Sequence, residues 1–167
     1  MRNVVPVQRF WLFLAAFLIA VSVFIPAKNT LAQDNNAASA QAQFPPLSPQ
    51  AQDLIQNVKE IYFPFDIYSR VVNRDVLQAD GAWLAQNTAS QLWIQGYADI
   101  RGDIFYNLVL SYRRAQFVKS KLIRSGVDQS RIGFATGWGK LYPVCNATDE
   151  SCYQKQRRVD IVPPDMM

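Results

Sequence analysis

The sequence has no histidine, and this absence excludes several kinds of catalytic site. Serine and cysteine hydrolases in their usual forms need a histidine base, so neither arrangement is available to the chain. Histidine is also the commonest zinc ligand, which argues against a zinc-dependent amidase. We therefore expect no catalytic residues, no metal site and no cofactor.

Cysteine is scarce as well, since Cys145 and Cys152 are the only two in the chain. Two thiolates cannot complete a tetrahedral metal site by themselves. In an exported protein, two cysteines this close together are expected to form a disulfide.

Acidic residues are missing from the start of the chain, where the first one is Asp34. Positions 1–32 contain Arg2, Arg9 and Lys28, and the remainder carries 14 basic and 13 acidic side chains, a net charge of +1. The sequence pI of about 9.2 is therefore largely a property of the leader. This removes the main argument for a nucleic-acid partner, and we expect none.

The leader has the layout of a secretory signal peptide over residues 1–32. Arg2 and Arg9 precede an apolar run from Phe10 to Ile25, and small residues surround a cleavage point after Ala32. The alternative is an uncleaved signal anchor, although the run is shorter than the roughly 20 residues that usually span a membrane. Both interpretations place the rest of the chain outside the cytoplasm.

Composition divides the remaining chain into four parts. Residues 33–47 contain mostly Gln, Ala, Asn, Ser and Pro with one charge, which is typical of a flexible linker. A short helix is predicted over 48–59, with Ser48 as the N-cap followed by a proline at the first helical position. The folded domain is predicted over 60–163, and residues 164–167 form a tail.

Within the domain, alternating apolar residues predict strands and apolar residues three or four apart predict helices. In the first of these helices, Val76, Ala79 and Trp83 fall on one apolar stripe, with Leu77 and Leu84 beside it. The predicted order is a strand over 61–65, a helix from 73 or 74 to 86, a strand over 91–97, a helix over 104–125, and strands over 131–138 and 157–162. Such an order predicts a two-layer α/β sandwich of the α+β class, with helices packed on one face of a small sheet.

Two segments carry a family resemblance: Gly96–Gly102, which reads GYADIRG, and Tyr106–Ala115, which reads YNLVLSYRRA. Together they resemble the signature of the OmpA-like peptidoglycan-binding domain, especially its peptidoglycan-associated lipoprotein branch. Further matching segments are Tyr62–Asp66, Gly137–Gly139 with Pro143, and Gln156–Val159. The resemblance covers residues 60–162 and implies a β-α-β-α-β-β fold with a small mixed sheet. The lipid-attachment cysteine of that branch is missing, since Gln33 follows the leader.

The resemblance implies a non-catalytic site for the diaminopimelate of peptidoglycan stem peptides. Asp99 matches the residue that takes the ligand's ammonium, and Arg114 matches the residue that takes the neighbouring carboxylate. Asn107 and Arg157 match further polar groups of the pocket, which the Phe65–Asp66 turn borders. The chemistry is consistent, because a carboxylate and a guanidinium together suit a zwitterion. Taken singly, however, Asp99 could be an ordinary turn residue and Arg114 a surface cation.

Three functions remain in competition at this point. The first is a peptidoglycan tether in the periplasm or cell envelope, with outer-membrane association and other envelope proteins as further partners. The second is a wall hydrolase with Asp99 and Asp103 as paired carboxylates, one of which would need a raised pKa. Nearby arginines would lower both pKa values, so we expect no enzyme. The third is a scaffold subunit of an envelope or secretion complex that binds the wall only incidentally.

Overall fold

Residues 46–166 are described by the computed structural model. The predicted leader, and the predicted linker as far as residue 45, lie outside the described residues. Within the described part of the chain, no helix is both long enough and apolar enough to cross a membrane.

Four helices and four strands alternate along this part of the chain. They are α1 (Pro49–Asn57), β1 (Ile61–Tyr62), α2 (Arg74–Gln86), β2 (Leu92–Gly96), α3 (Ile104–Arg124), β3 (Ile132–Gly137), α4 (Glu150–Gln156) and β4 (Arg158–Val162). The sheet has the order β1-β4-β2-β3. Strand β2 runs parallel to β3, whereas β4 runs antiparallel to both β2 and β1. The predicted sandwich with a small mixed sheet is confirmed.

Helix α1 packs on the sheet and is part of the folded unit. The Ser48 hydroxyl oxygen accepts a hydrogen bond from the Ala51 N–H at 3.2 Å, which caps the helix. Leu54 is completely buried in the common core. The Ser48 hydroxyl also donates to the Asp165 carboxylate at 2.7 Å, so the end of the described chain is attached to the start of this helix.

Helix α2 buries Leu77 and Leu84, predicted beside the apolar stripe, more deeply than Val76 and Trp83, which are partly buried against the core. Leu77, Gly81 and Leu84 are buried, whereas Ala79 is exposed. A Cβ on Gly81 would lie 2.7 Å from the Ser125 hydroxyl oxygen, so the missing side chain allows the end of α3 to come close. Packing against α3 therefore decides the orientation of this weakly amphipathic helix.

Two glycines allow α3 to lie directly against the sheet. A Cβ on Gly96 would be 2.0 Å from the Ser111 carbonyl oxygen, and one on Gly137 would be 2.3 Å from the Tyr112 nitrogen. Any other residue would push the helix backbone away from β2 and β3. This close packing holds the first half of α3 beside the turn that follows β2.

The face of the sheet opposite α3 is partly open. Leu92 and Ile94 point into the core, whereas Trp93 on the other side of the strand packs edge-on against Phe134, with 5.1 Å between ring centroids. Phe134 is 61% exposed. Leu92 and Ile94 on one side and Trp93 on the other agree with the strand predicted over 91–97.

Helix α4 has no counterpart among the predicted elements. Its N-cap is Asp149, whose carboxylate accepts the Cys152 N–H at 2.9 Å. Cys152 also forms a disulfide with Cys145, with 5.9 Å between the Cα atoms, which confirms the predicted pairing. The segment ahead of β4 is thus a short, cross-linked helix and not only a loop.

Candidate binding site

A cavity of about 80 Å³ lies between the turn after β2, the first half of α3 and the loop after β1. All six residues predicted for the ligand site line it: Phe65, Asp66, Asp99, Asn107, Arg114 and Arg157. Four other polar or aromatic residues, not predicted for the site, lie in or beside it: Arg101, Tyr106, Glu150 and Tyr153. The structure therefore brings the predicted residues together and adds partners for them.

Asp99 is buried, with 4% of its surface exposed, and both carboxylate oxygens are engaged. Oδ1 accepts the backbone N–H and the Nε–H of Arg101, both at 3.1 Å. Oδ2 accepts Arg101 Nη2 at 2.7 Å and Arg157 Nη1 at 3.1 Å. A carboxylate offers about four lone-pair positions, so no acceptor position on Asp99 remains for another cation while Arg101 stays in place.

These arginines also control the ionisation of Asp99. Burial by itself raises the pKa of this carboxyl, but hydrogen bonds from Arg101 and Arg157 outweigh it, and the pKa lies below its ordinary value. The pKa of Asp103 is lowered too, chiefly by the Tyr106 backbone N–H at the start of α3. Neither residue has the raised pKa that the proton donor of a glycosidase needs. The electrostatics of the site therefore oppose the hydrolase alternative.

Arg114 has no exposed surface, which excludes the surface-cation alternative. Its guanidinium donates from Nε to the Ile67 carbonyl at 3.0 Å, from Nη1 to the Tyr97 carbonyl at 2.9 Å and from Nη2 to the Pro64 carbonyl at 3.0 Å. It thus fastens the loop after β1 to the end of β2. Two of its five N–H groups have no acceptor among the described residues. Burial lowers the pKa of Arg114 to about 10, with a further contribution from Arg157.

Arg157 joins β4, α4 and the turn after β2. Besides its bond to Asp99, it donates from Nη2 to Glu150 at 2.6 Å and to Gln154 at 2.7 Å. Its Nε donates to the Phe63 carbonyl at 3.2 Å. The side chain is almost completely buried, so it supports Asp99 from the protein interior. Glu150 and Gln154 lie on α4, the helix that the sequence patterns did not reveal.

Arg101 is the most accessible cation of the site, with 36% of its side chain exposed. Its guanidinium lies between the rings of Phe65 and Tyr153, at 4.3 and 4.2 Å from their centroids. It therefore covers Asp99 from the solvent side. The residue falls inside the Gly96–Gly102 motif, so its position in the sequence could have suggested a role in the site.

Two further contacts fix the rim of the cavity. Asn107 donates from Nδ2 to the Arg101 carbonyl at 2.6 Å and so holds the turn after β2 against α3. Asp66 has a positive φ of 56°, a conformation that Asp tolerates better than most residues. Its carboxylate accepts a hydrogen bond from the Tyr106 hydroxyl. Both sides of the cavity are thus attached to the first half of α3.

Gln156 connects the site to the disulfide. Its side-chain oxygen accepts the Ile100 N–H at 3.0 Å, and its side-chain nitrogen donates to the Cys145 carbonyl at 2.9 Å. The turn that carries Asp99 is therefore held by the cross-linked segment around α4.

Comparison with known proteins agrees with this architecture. The model of the OmpA family matches residues 73–158. The peptidoglycan-associated lipoprotein of Haemophilus influenzae is 33% identical over 148 residues, which cover 87% of this chain and 95% of that protein. The crystal structure of the peptidoglycan-associated lipoprotein from Burkholderia pseudomallei is 34% identical, with a TM-score of 0.57, over 62% of this chain and 88% of that one.

A more distant structure shares the fold. It is the cell wall anchor of the T6SS from Pseudomonas aeruginosa, with 23% identity and a TM-score of 0.51 over 72% of this chain and 98% of that one. The family match covers more than half of the chain, and the Haemophilus relative aligns over nearly its whole length. The chain therefore belongs to the OmpA family, in which it is similar to the peptidoglycan-associated lipoproteins.

Proposed function

We propose that the domain binds peptidoglycan without cleaving it, through the diaminopimelate of its stem peptides. It would thereby tether the protein, or an envelope assembly that contains it, to the cell wall from the periplasmic side. The observation that carries the proposal is the convergence of Asp99, Arg101, Arg114 and Arg157 on one small cavity. The name of the Haemophilus and Burkholderia relatives, peptidoglycan-associated lipoprotein, supports peptidoglycan as the ligand.

In this mechanism, the ligand's ammonium replaces the guanidinium of Arg101 on Asp99. An exchange is needed because all four acceptor positions of the carboxylate are occupied. Arg101 is the partner that leaves, since its side chain is 36% exposed and that of Arg157 only 3%. Asp99 is buried and its pair with Arg101 is bidentate, so the displacement costs free energy that the new pair with the ammonium must offset.

The ligand's carboxylate is then taken by the N–H groups of Arg114 that have no protein acceptor. Since Arg114 has no exposed surface, the carboxylate reaches it only by entering the cavity. Asn107 and Arg157 keep the turn and Asp99 in place, and the Phe65–Asp66 turn forms the opposite wall. The released guanidinium of Arg101 stays between its two aromatic rings and closes over the bound group.

The test is sedimentation of the purified protein with purified peptidoglycan, with and without free diaminopimelate. We expect the protein to sediment with the wall, to be released by free diaminopimelate, and to liberate no soluble wall fragments. Asp99→Asn should weaken binding at least ~30-fold, because losing one partner of a desolvated charge pair costs roughly 2–5 kcal/mol.

The matched control is Asp75→Asn, which removes the same charge from an exposed position of α2. It should leave wall binding unchanged. Equal losses in the two variants, or sedimentation that free diaminopimelate does not reverse, would contradict the proposed site.

A further inference from the structure

A second concave site lies between α2, the C-terminal half of α3 and the loop that precedes α2. This groove, which we call the basic groove, has a volume of about 420 Å³. Four cations line it: Arg70, Arg74, Lys121 and Arg124. The remaining lining residues are Ser69, Val71, Leu77, Gln78, Phe117 and Ser125. No acidic side chain lines the groove, and it shares no residue with the diaminopimelate cavity.

The arginines without a hydrogen-bonding partner are concentrated in this groove. The described residues include nine arginines, of which five donate to carboxylates or backbone carbonyls: Arg101, Arg114, Arg131, Arg157 and Arg158. Of the four that have no such acceptor within the described part of the chain, three line the basic groove. Helix α3 itself contains five cations and no acidic residue.

The stability of the two helices explains the positions of only some of these four cations. Lys121 and Arg124 lie in the last turn of α3, where the helix dipole favours positive charge. Arg74, however, is the first residue of α2, where the same dipole disfavours it. Grouping four like charges adds repulsion. A cation placed where it lowers local stability is expected at a site that binds an anionic group.

We propose that the basic groove docks an acidic segment of a partner protein. Carboxylates of that segment would pair with the arginines, whose guanidinium groups suit bidentate binding, and an apolar side chain would pack beside Phe117, whose ring centroid lies 5.2 Å from Lys121 Nζ. A concave groove between two helices with an apolar floor accepts an extended polypeptide, whereas a membrane surface requires a flat or convex basic face. Since the two sites share no residue, the partner and the wall can be bound together.

The experiment measures binding of the purified protein to a fluorescein-labelled peptide in which glutamates flank a central leucine, by fluorescence anisotropy. We expect binding that weakens as salt is added, because exposed charge pairs are screened. Arg70→Glu combined with Arg124→Glu should weaken it at least ~10-fold. Lys119→Glu combined with Lys155→Glu changes the net charge equally outside the groove and should have an effect below ~2-fold.

A third variant separates binding from stability. Arg74→Gln should weaken peptide binding and at the same time raise the melting temperature, because it removes a cation from a helix N-terminus. An increase in binding, or a decrease in melting temperature, would contradict the role given to Arg74.

Four other outcomes would overturn the proposal. These are equal losses in the two double variants, equal affinity for a peptide with glutamines in place of glutamates, no peptide binding at all, and binding to phosphatidylglycerol vesicles without binding to the peptide. Wall sedimentation should be the same in all the groove variants, so failure here is distinguishable from failure of the proposed wall site.

Discussion

The guanidinium of Arg101 lies on the carboxylate of Asp99, with 2.7 Å between Nη2 and Oδ2, and covers it from solvent. In the proposed mechanism this guanidinium competes with the ligand's ammonium. Arg101→Met keeps an apolar stem between Phe65 and Tyr153 but removes the competing charge. We expect it to bind free diaminopimelate at least ~2-fold more tightly, measured by calorimetry, because the bidentate pair between Asp99 and Arg101 no longer has to be broken.

Lys140→Met is the control for this experiment, since it also removes a cation that contacts the turn after β2 but does not touch Asp99. It should leave the affinity within ~2-fold of the original value. Weaker binding by the Arg101 variant would show that Arg101 contacts the ligand directly and does not compete with it.

Arg114 is expected to matter for folding as well as for binding. Arg114→Lys keeps the charge but cannot satisfy the carbonyls of Pro64, Ile67 and Tyr97 together. A buried carbonyl without a partner costs about 1–3 kcal/mol, so the free energy of unfolding should fall by about 2–4 kcal/mol. Urea denaturation measures this. Arg113→Lys, at the exposed neighbouring position, should change it by less than about 0.5 kcal/mol.

The disulfide should stabilise the turn that carries Asp99 without being required for the fold. Replacing Cys145 and Cys152 by serine is expected to lower the free energy of unfolding by about 2–3 kcal/mol in the loop-entropy model. Because Gln156 connects the Cys145 carbonyl to the Ile100 N–H, amide exchange should accelerate at Ile100. Unchanged exchange there would contradict this connection, and two free thiols in the native protein would contradict the bond itself.

Asp80 should make the free energy of unfolding depend on pH near 6, which is above the pH at which acid usually denatures proteins. The residue is 2% exposed, its Oδ2 has no partner among the described residues, and burial raises its pKa to about 6. A pKa raised in the folded state means that protonation favours folding. Its contribution is fully present below the unfolded pKa and is lost as pH rises through about 6.

The free energy of unfolding should therefore include a gain of about 1 kcal/mol from Asp80 on going from pH 7 to pH 5. Asp80→Asn should lack this gain. Denaturation of both proteins at the two pH values measures the difference in their free energies of unfolding. Asp160, whose pKa is also raised by burial, is present in both proteins, so its contribution cancels. Parallel pH dependence in the two proteins would contradict the assignment to Asp80.

The leader remains a prediction, because residues 1–45 lie outside the described part of the chain. We expect cleavage after Ala32, so that the exported protein begins at Gln33. N-terminal sequencing of the protein from the periplasmic fraction tests this. A protein that still begins at Met1 and fractionates with the inner membrane would instead establish a signal anchor.

Patterns within short windows were sufficient for most of the fold. The alternation of Leu92 and Ile94 with Trp93 predicted β2 and its buried side, because successive side chains of a strand point to opposite faces. Asn107, Ser111 and Arg114 stand at positions i, i+4 and i+7, a spacing that favours one stripe of a helix, and all three are buried in α3. Helix α4 was missed because its seven residues are too few to show a helical period.

The buried stripe of α2 shows where such patterns fail. Apolar spacing placed Ala79 on the stripe, but the structure exposes Ala79 and buries Gly81, which has no side chain to contribute to an apolar pattern. The close approach of Ser125 at this glycine decides how the helix is rotated. Contacts between elements outweigh a weak local pattern.

The sequence by itself determined most of the elements, the disulfide and six of the residues that line the cavity, because local periodicity and family motifs extend along the chain. Only the tertiary structure decided how those residues pair. Arg157 lies 58 positions from Asp99 in sequence, yet it reaches Asp99 because β4 lies beside β2 in the sheet. Arg101, two positions away, takes the remaining positions on Asp99, and Arg114 is turned instead to backbone carbonyls. Which charge meets which partner depends on distances across the fold, and no window of the sequence contains them.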